Sequence, residues 1–211
     1  LALLALILLS PIFILTVVIL KLSGEGEVIF KQIRIGKNGS EFKIIKFATM
    51  LKNSPDIGSG ELTLPDDDRV LPFGKFLRRS KINELPQIIN VLIGDMSLIG
   101  PRPHTPYFAS FFSTGDLAKI HSVSPGLSGI GALMFRNEED IFKNVKNPKF
   151  WDEQVIMPYK GKLESWYVDN YSFKNYVLLI FLTFIEIFAP GWVNPLTTLD
   201  NLPKPPQILA E

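Results

Sequence analysis

Twenty residues, Leu1 to Leu20, are apolar apart from Ser10 and Thr16. A helix of that length matches the hydrocarbon thickness of a bilayer, so the chain is limited to folds that carry a membrane-inserted helix. Lys21 follows directly and no small-residue cleavage pattern appears, which argues against a cleaved signal peptide. Ser10-Pro11 sits at the centre of the run. A proline there removes a helical hydrogen bond and presses on the preceding turn, while the serine hydroxyl can satisfy a freed carbonyl. Two geometries stay open on this pattern: a kinked helix that crosses, or a hairpin that enters and leaves by one face. Lys21, Lys31, Arg34 and Lys37 place the residues that follow on the cytoplasmic side.

At 211 residues the chain has room for one domain with a real core. A formal net charge of +1 argues against a broad nucleic-acid footprint, and what matters is where the charges lie. Without cysteine there are no disulfides and no thiolate chemistry. Val28 to Ile35 and Glu41 to Phe47 are predicted as two strands of a hairpin, because Asn38-Gly39 separates two β-rich runs. Lys43 and Lys46 stand on the second strand. Leu51 to Asp68 is a predicted polar loop, and its Asp66-Asp67-Asp68 reads as a solvated acidic turn rather than a cation site.

Arg78 to Leu92 is the stretch with the clearest chemistry. It is predicted as a helix start, with Ser80 or Asn83 as N-cap, Pro86 in the first turn, and Ile88, Ile89 and Leu92 as the apolar face. A helix start attracts anions such as phosphate. Arg69, Lys75, Arg78, Arg79 and Lys81 approach it with one carboxylate, Glu84, where they converge. A lone carboxylate beside a phosphate-sized positive site suits acid–base work or metal binding. It could equally complement a helix dipole.

Downstream, Gly94-Asp95 reads as a stop. Gly100-Pro101-Arg102-Pro103 brackets an arginine between two prolines, which fixes the backbone beneath a guanidinium suited to bidentate phosphate contact. His104 reads as a loop residue. Tyr107, Phe108, Phe111 and Phe112 recur at helical spacing, as a core or interfacial face. Ser124 to Gly131 is a glycine-dense turn through which backbone could approach a ligand, and Arg136 follows it. In the tail, Val177 to Phe188 is too short to cross a bilayer comfortably and is flanked by aromatics, which suits a helix lying in the headgroup layer.

Taken in order, Ser10-Pro11, Gln32-x-Arg34-x-Gly36, Lys46-Phe47-x-Thr49-Met50, Asp68-Arg69, Asn83-Glu84-Leu85-Pro86-Gln87, Asn90-Val91-Leu92-x-Gly94-Asp95-Met96-Ser97, Gly100-Pro101-Arg102-Pro103 and Pro125-Gly126-Leu127-Ser128-Gly129 resemble the bacterial sugar transferases called monotopic phosphoglycosyl transferases. The likeness runs over essentially the whole chain. It implies an enzyme of the bacterial inner membrane, on the cytoplasmic face. Such enzymes move a phosphosugar from a UDP-sugar to polyprenyl phosphate with Mg²⁺, releasing UMP and initiating glycoconjugate assembly. The resemblance also implies an α+β monotopic fold. Residues 1–22 would form a broken, re-entrant membrane helix, and residues 23–211 a catalytic domain with a small β-hairpin and several interfacial amphipathic helices. Expected partners beyond the substrates and membrane lipid are a second copy of the chain or downstream glycosyltransferases.

The family's catalytic pair is Asp-Glu, and here the Asp position is Asn83. A carboxamide is a poor nucleophile and a weaker Mg²⁺ ligand than a carboxylate. Ala48, Ser124, Ala132 and Tyr176 also depart from the family's usual basic, arginine, glutamine and acidic residues, respectively. Because these departures occur together, the chain is expected to be a natural variant rather than one carrying a single engineered change. Glu84 is then the residue expected to carry the chemistry, with Asn83 positioning metal or phosphate. Lys46, Arg78, Arg102 and Arg136 are the expected diphosphate ligands. The competing reading is an inactive relative that binds nucleotide sugar or scaffolds an assembly complex.

Overall fold

The computed structural model describes residues 2–58, 60, 62–64, 66–136 and 138–206. The chain divides into two units, one formed by Leu1–Gln32 and Lys43–Gly94, the other by Ile33–Phe42 and Asp95–Glu211.

The first unit opens with helix α1 (Ala2–Leu22), which is long and apolar enough to cross a bilayer. It stays helical through Pro11, where the sequence predicts a break, and Ser10 Oγ donates to Ile7 O at 2.7 Å. The serine thus satisfies one carbonyl of the turn that the proline ring disturbs. Most of α1 is exposed, but Thr16 and Leu20 are buried. Leu20 joins Phe47 and Leu77 in a core cluster flanked by Phe13, Val28, Phe73 and Ile82. Strands β1 (Ile29–Ile35) and β2 (Glu41–Phe47), whose residues 33–42 belong to the second unit, pair in a two-stranded sheet, as the two β-rich runs around Asn38-Gly39 predict. Asn38 takes the left-handed conformation in their turn (φ 57°).

After the loop come α2 (Pro72–Arg79) and α3 (Gln87–Ile93). This corrects the expectation of one helix starting at Ser80 or Asn83. Ser80 instead closes α2, donating from its backbone N–H and hydroxyl to Phe76 O. Lys81 turns left-handed (φ 59°), and Ile82–Glu84 form a single 3-10 turn. Leu85 and Pro86 keep right-handed helical backbone angles, but Pro86 has no N–H to donate, so it serves as the N-cap and α3 begins after it. Arg78 and Arg79 therefore lie in the last turn of α2, where cations suit the helix dipole. Helix α3 is seven residues long, and its N-cap Pro86 offers no N–H of its own. Gly94 ends α3 in the left-handed conformation (φ 92°), matching the predicted stop.

The second unit contains β3 (Ser97–Ile99), α4 (Pro106–Ala109), α5 (Thr114–Ile120), β4 (Gly126–Ser128), α6 (Ile130–Met134), α7 (Glu138–Ile141), α8 (Pro148–Trp151), α9 (Met157–Asp169), α10 (Phe173–Phe188) and α11 (Pro195–Thr198). A π-helical turn, Asp152–Ile156, joins α8 to α9. Strands β3 and β4 pair in parallel, Ser97 opposite Gly126 and Ile99 opposite Ser128. The predicted aromatic stripe is core: Phe112 is buried with Ile120 and Met157, and Phe108 and Phe111 pack on them. Tyr107 remains exposed and donates its hydroxyl to Glu153. Helix α10 covers the predicted tail segment. Its Phe173, Val177, Phe181, Phe184 and Phe188 form an exposed stripe at helical spacing.

Candidate functional site

Lys46 and Glu84 meet in the first unit. Lys46 Nζ lies 3.2 Å from Glu84 Oε1, and both side chains are about 16% exposed. Strand β2 delivers the lysine and the 3-10 turn delivers the glutamate. Asn90, fully buried in α3, ties α3 to the strand: its Oδ1 accepts from Ile45 N (3.0 Å) and its Nδ2 donates to Lys43 O (2.9 Å). The side chain thus acts as a neighbouring strand would, satisfying one donor and one acceptor of the β2 edge.

Next to Glu84, Asn83 is buried, and among the described residues its Oδ1 has no hydrogen-bonding partner. Gln87, buried at the start of α3, likewise leaves Nε2 unpaired. A buried polar atom without a partner costs free energy, roughly 1–3 kcal/mol, unless a ligand meets it. No group of three or more His, Cys, Asp or Glu gathers as a metal cage among the described residues. Asn83 Oδ1 and Glu84 supply oxygen donors only, and Mg²⁺ is commonly held by one or two carboxylates together with substrate phosphates. The donor set therefore fits Mg²⁺ shared with a diphosphate. Of the other predicted phosphate ligands, Arg78 is half-buried in the last turn of α2.

Arg69, which the sequence counts among the cations approaching Glu84, has its guanidinium engaged by Asp67 and shapes the loop before α2. It is 4% exposed. Its guanidinium donates to the Asp67 carboxylate (Nη2–Oδ2, 2.6 Å) and to the carbonyls of Ser54, Ile57, Gly60 and Leu62. The Asp67 carboxyl is held below its ordinary range by these hydrogen bonds. Asp66-Asp67-Asp68 is thus partly a structural clamp.

Arg102 and Arg136 belong to the second unit. Arg102 sits on a braced segment. Ser97 N donates to Pro125 O (2.8 Å), Gly100 N to Ser128 O (3.0 Å) and Gly126 N to Pro101 O (2.8 Å). On the far side, Arg34 Nη1 donates to Pro103 O (3.3 Å) and Ile35 N to His104 O (3.0 Å). The close backbone approach anticipated at the glycine-dense turn is therefore to protein: side chains at Gly126 or Gly129 would overlap the Gly100 backbone. Arg136 Nε lies 3.7 Å from Glu186 Oε1, and the same carboxylate accepts from Gly191 N (3.1 Å).

Around Arg102 and Lys160 three titratable groups are displaced from their usual values. His104 is buried against Phe112, with ring centroids 4.8 Å apart. Burial, then the charges of Lys160, Arg34 and Arg102, push it well below the ordinary imidazole value, so it is neutral. Glu164 in α9 is 1% exposed, and burial pushes it up to about 7 against the pull of Arg102 and Lys160. Asp152 is pushed up to about 6, again chiefly by burial. Sequence reasoning assigns no role to Glu164 or Glu186 and meets Asn90 only as the first residue of a motif. The available signal was a single polar residue inside an apolar or aromatic run, as in Ile88-Ile89-Asn90-Val91-Leu92.

Residues 1–190 match the family model described as bacterial sugar transferase. The chain is 34% identical over 180 residues to "Uncharacterized sugar transferase EpsL" of Bacillus subtilis (strain 168), covering 85% of this chain and 79% of that protein. It is 36% identical over 190 residues to "UDP-N-acetylgalactosamine-undecaprenyl-phosphate N-acetylgalactosaminephosphotransferase" of Aeromonas hydrophila, covering 89% of this chain but 42% of that protein. Against "UDP-glucose:undecaprenyl-phosphate glucose-1-phosphate transferase" of Escherichia coli (strain K12), identity is 35% over 181 residues, 84% of this chain and 39% of that one. The chain thus spans less than half the length of the last two relatives.

Proposed function

Since the chain belongs to the bacterial sugar transferase family, we propose that it transfers a phosphosugar from a nucleoside diphosphate sugar, a UDP-sugar in particular, to polyprenyl phosphate and releases UMP. The observation that carries this reading is Glu84, held 3.2 Å from Lys46 beside the unpaired, buried Oδ1 of Asn83.

Glu84 carries the chemistry. As nucleophile, its carboxylate oxygen bonds to the sugar-bearing phosphorus while the bond to the bridging oxygen breaks, and UMP leaves with the electron pair. An oxygen of polyprenyl phosphate then attacks the same phosphorus and frees the carboxylate. As base, Glu84 instead takes the proton of the lipid phosphate, whose oxygen attacks the same phosphorus directly while the bond to the bridging oxygen breaks and UMP leaves. Lys46 keeps the carboxylate oriented, and Lys46 and Arg78 offer positive charge to the diphosphate of the first unit's site. Arg102 and Arg136 are proposed phosphate ligands of the second unit. Mg²⁺ bound at Asn83 Oδ1 and Glu84 would neutralise charge developing on the leaving phosphate.

The exposed apolar surface of α1, and the Phe173-to-Phe188 stripe of α10 flanked by exposed Tyr171 and Trp192, support a lipid-facing enzyme. On this reading α1 re-enters at Ser10-Pro11 and the protein works at the cytoplasmic face of the inner membrane.

The test is UMP release from a panel of UDP-sugars with polyprenyl phosphate in detergent, for wild type and Glu84→Gln. Loss of about hundredfold or more in the variant is expected for a nucleophile or base. Undiminished turnover removes Glu84 from the mechanism. Without lipid acceptor, one equivalent of UMP and a sugar-phosphate mass on Glu84 identify the nucleophilic route, and their absence identifies the base. A wild type that is silent while Asn83→Asp turns over marks an inactive relative.

A further inference from the structure

We propose that Glu164 is the positioning residue for Arg102, gripping the arginine's backbone from beneath. This rests on the proposed role of Arg102 as a substrate-phosphate ligand. Three observations converge on Glu164. It is 1% exposed, in the middle of α9, where a carboxylate is costly unless it has work to do. Its carboxylate accepts the backbone N–H of Arg102. And it reaches that N–H across Gly131, where a Cβ would overlap Glu164 Oε1. Gly131 is therefore glycine to let the carboxylate through, which gives the last glycine of the Ser124–Gly131 turn a purpose that backbone conformation does not supply.

The prolines alone leave this task undone. Pro103 confines Arg102 to extended geometry, and Pro101 fixes its own φ. Neither stops the segment from lifting as a stiff unit. The β3–β4 ladder holds Gly100 and Pro101, and Arg34 and Ile35 hold Pro103 and His104. Glu164 holds the residue between them. A guanidinium that must meet two phosphate oxygens at once needs its Cα fixed, because its fork geometry is specific.

The experiment is a double-mutant cycle on steady-state turnover of a UDP-sugar by the full chain in detergent, with UDP binding measured alongside. Glu164→Leu removes the acceptor, Gly131→Ala displaces it, and Glu164→Gln keeps an oxygen in its place. Glu164→Leu and Gly131→Ala are expected to raise KM for the UDP-sugar about tenfold with kcat within about threefold of wild type, and Glu164→Gln to stay near wild type. Adding Arg102→Ala to Glu164→Leu should cost little beyond Arg102→Ala alone. Fully additive losses overturn the proposal, as does a lowered unfolding temperature with KM unchanged. Should Glu164→Leu fail to fold, Gly131→Ala and Glu164→Gln decide the matter through the same change in KM. A wild type that binds UDP without turnover refutes the transferase reading, and the cycle is then run on UDP affinity. A wild type that neither binds nor turns over overturns both.

Discussion

Lys46 Nζ and Glu84 Oε1 lie 3.2 Å apart, each in a side chain about five-sixths buried. The pair comes from two short, unlike pieces of backbone, a strand and a 3-10 turn, so its geometry depends on what joins them. Replacing Lys46 by Met removes the charge that lies 3.2 Å from a mostly buried carboxylate. The variant is expected to lose activity by about tenfold or more, since breaking a buried pair from one side costs several kcal/mol. UMP release by Lys46→Met checks this, and activity equal to wild type would show the pair to be incidental.

Asn90 is the joint. Asn90→Ala strands Ile45 N and Lys43 O, and truncates a side chain with no exposure. The expected cost is about 2–4 kcal/mol, the sum of two unsatisfied backbone groups. It should appear as a lower thermal midpoint together with lost turnover. An unchanged midpoint would mean that water or a shifted strand replaces the amide.

Arg69 makes a separate prediction. Lysine has neither the fork nor the reach to serve Asp67 and four carbonyls together. Arg69→Lys should open the backbone at Ser54, Ile57, Gly60 and Leu62 to limited proteolysis at neutral pH while wild type resists. The pH dependence follows from Asp67, whose carboxyl is held below the ordinary 3.8 by Arg69. A lowered carboxyl contributes stability that is present above that value and is lost as pH falls through its folded one. Wild-type resistance should therefore fail only in acid. Resistance that fails first at alkaline pH would contradict it.

Glu164 gives the opposite slope. Its carboxyl rises from 4.5 to about 7 on folding, mainly through burial, with Arg102 and Lys160 opposing. The folded state then binds the extra proton between those values, so stability is greatest below about 4.5 and declines as pH climbs to 7. Asp152, raised to about 6, adds a contribution of the same sign. Thermal midpoints across pH 5 to 7 should fall in wild type and fall less in Glu164→Gln. Parallel curves would show that Glu164 ionises as it does in the unfolded chain.

Much of this architecture is legible in the sequence. The apolar run, the hairpin with Asn38-Gly39 at its turn, the stop at Gly94 and the stripe of α10 all follow from local patterns that burial reinforces. The helix start expected at Ser80 or Asn83 misleads because every local cap signal is present. Lys81, left-handed, and Pro86 split the stretch instead, and the resulting 3-10 turn is what carries Glu84. The roles of Asn90, Glu164 and Glu186 escape because their partners are distant backbone groups or a distant arginine, and spacing along a chain records no such pairing.

Phe13 and Leu20 of α1 pack with Phe47 and Leu77, Phe13 meeting Phe47 edge-on at 5.5 Å. The hydrophobic helix is therefore not a detachable tether. A shortened, water-soluble version starting after residue 22 would uncover Phe47 and Leu77 at the base of the strand that delivers Lys46. Solubility would be gained by dismantling the wall behind the Lys46–Glu84 pair.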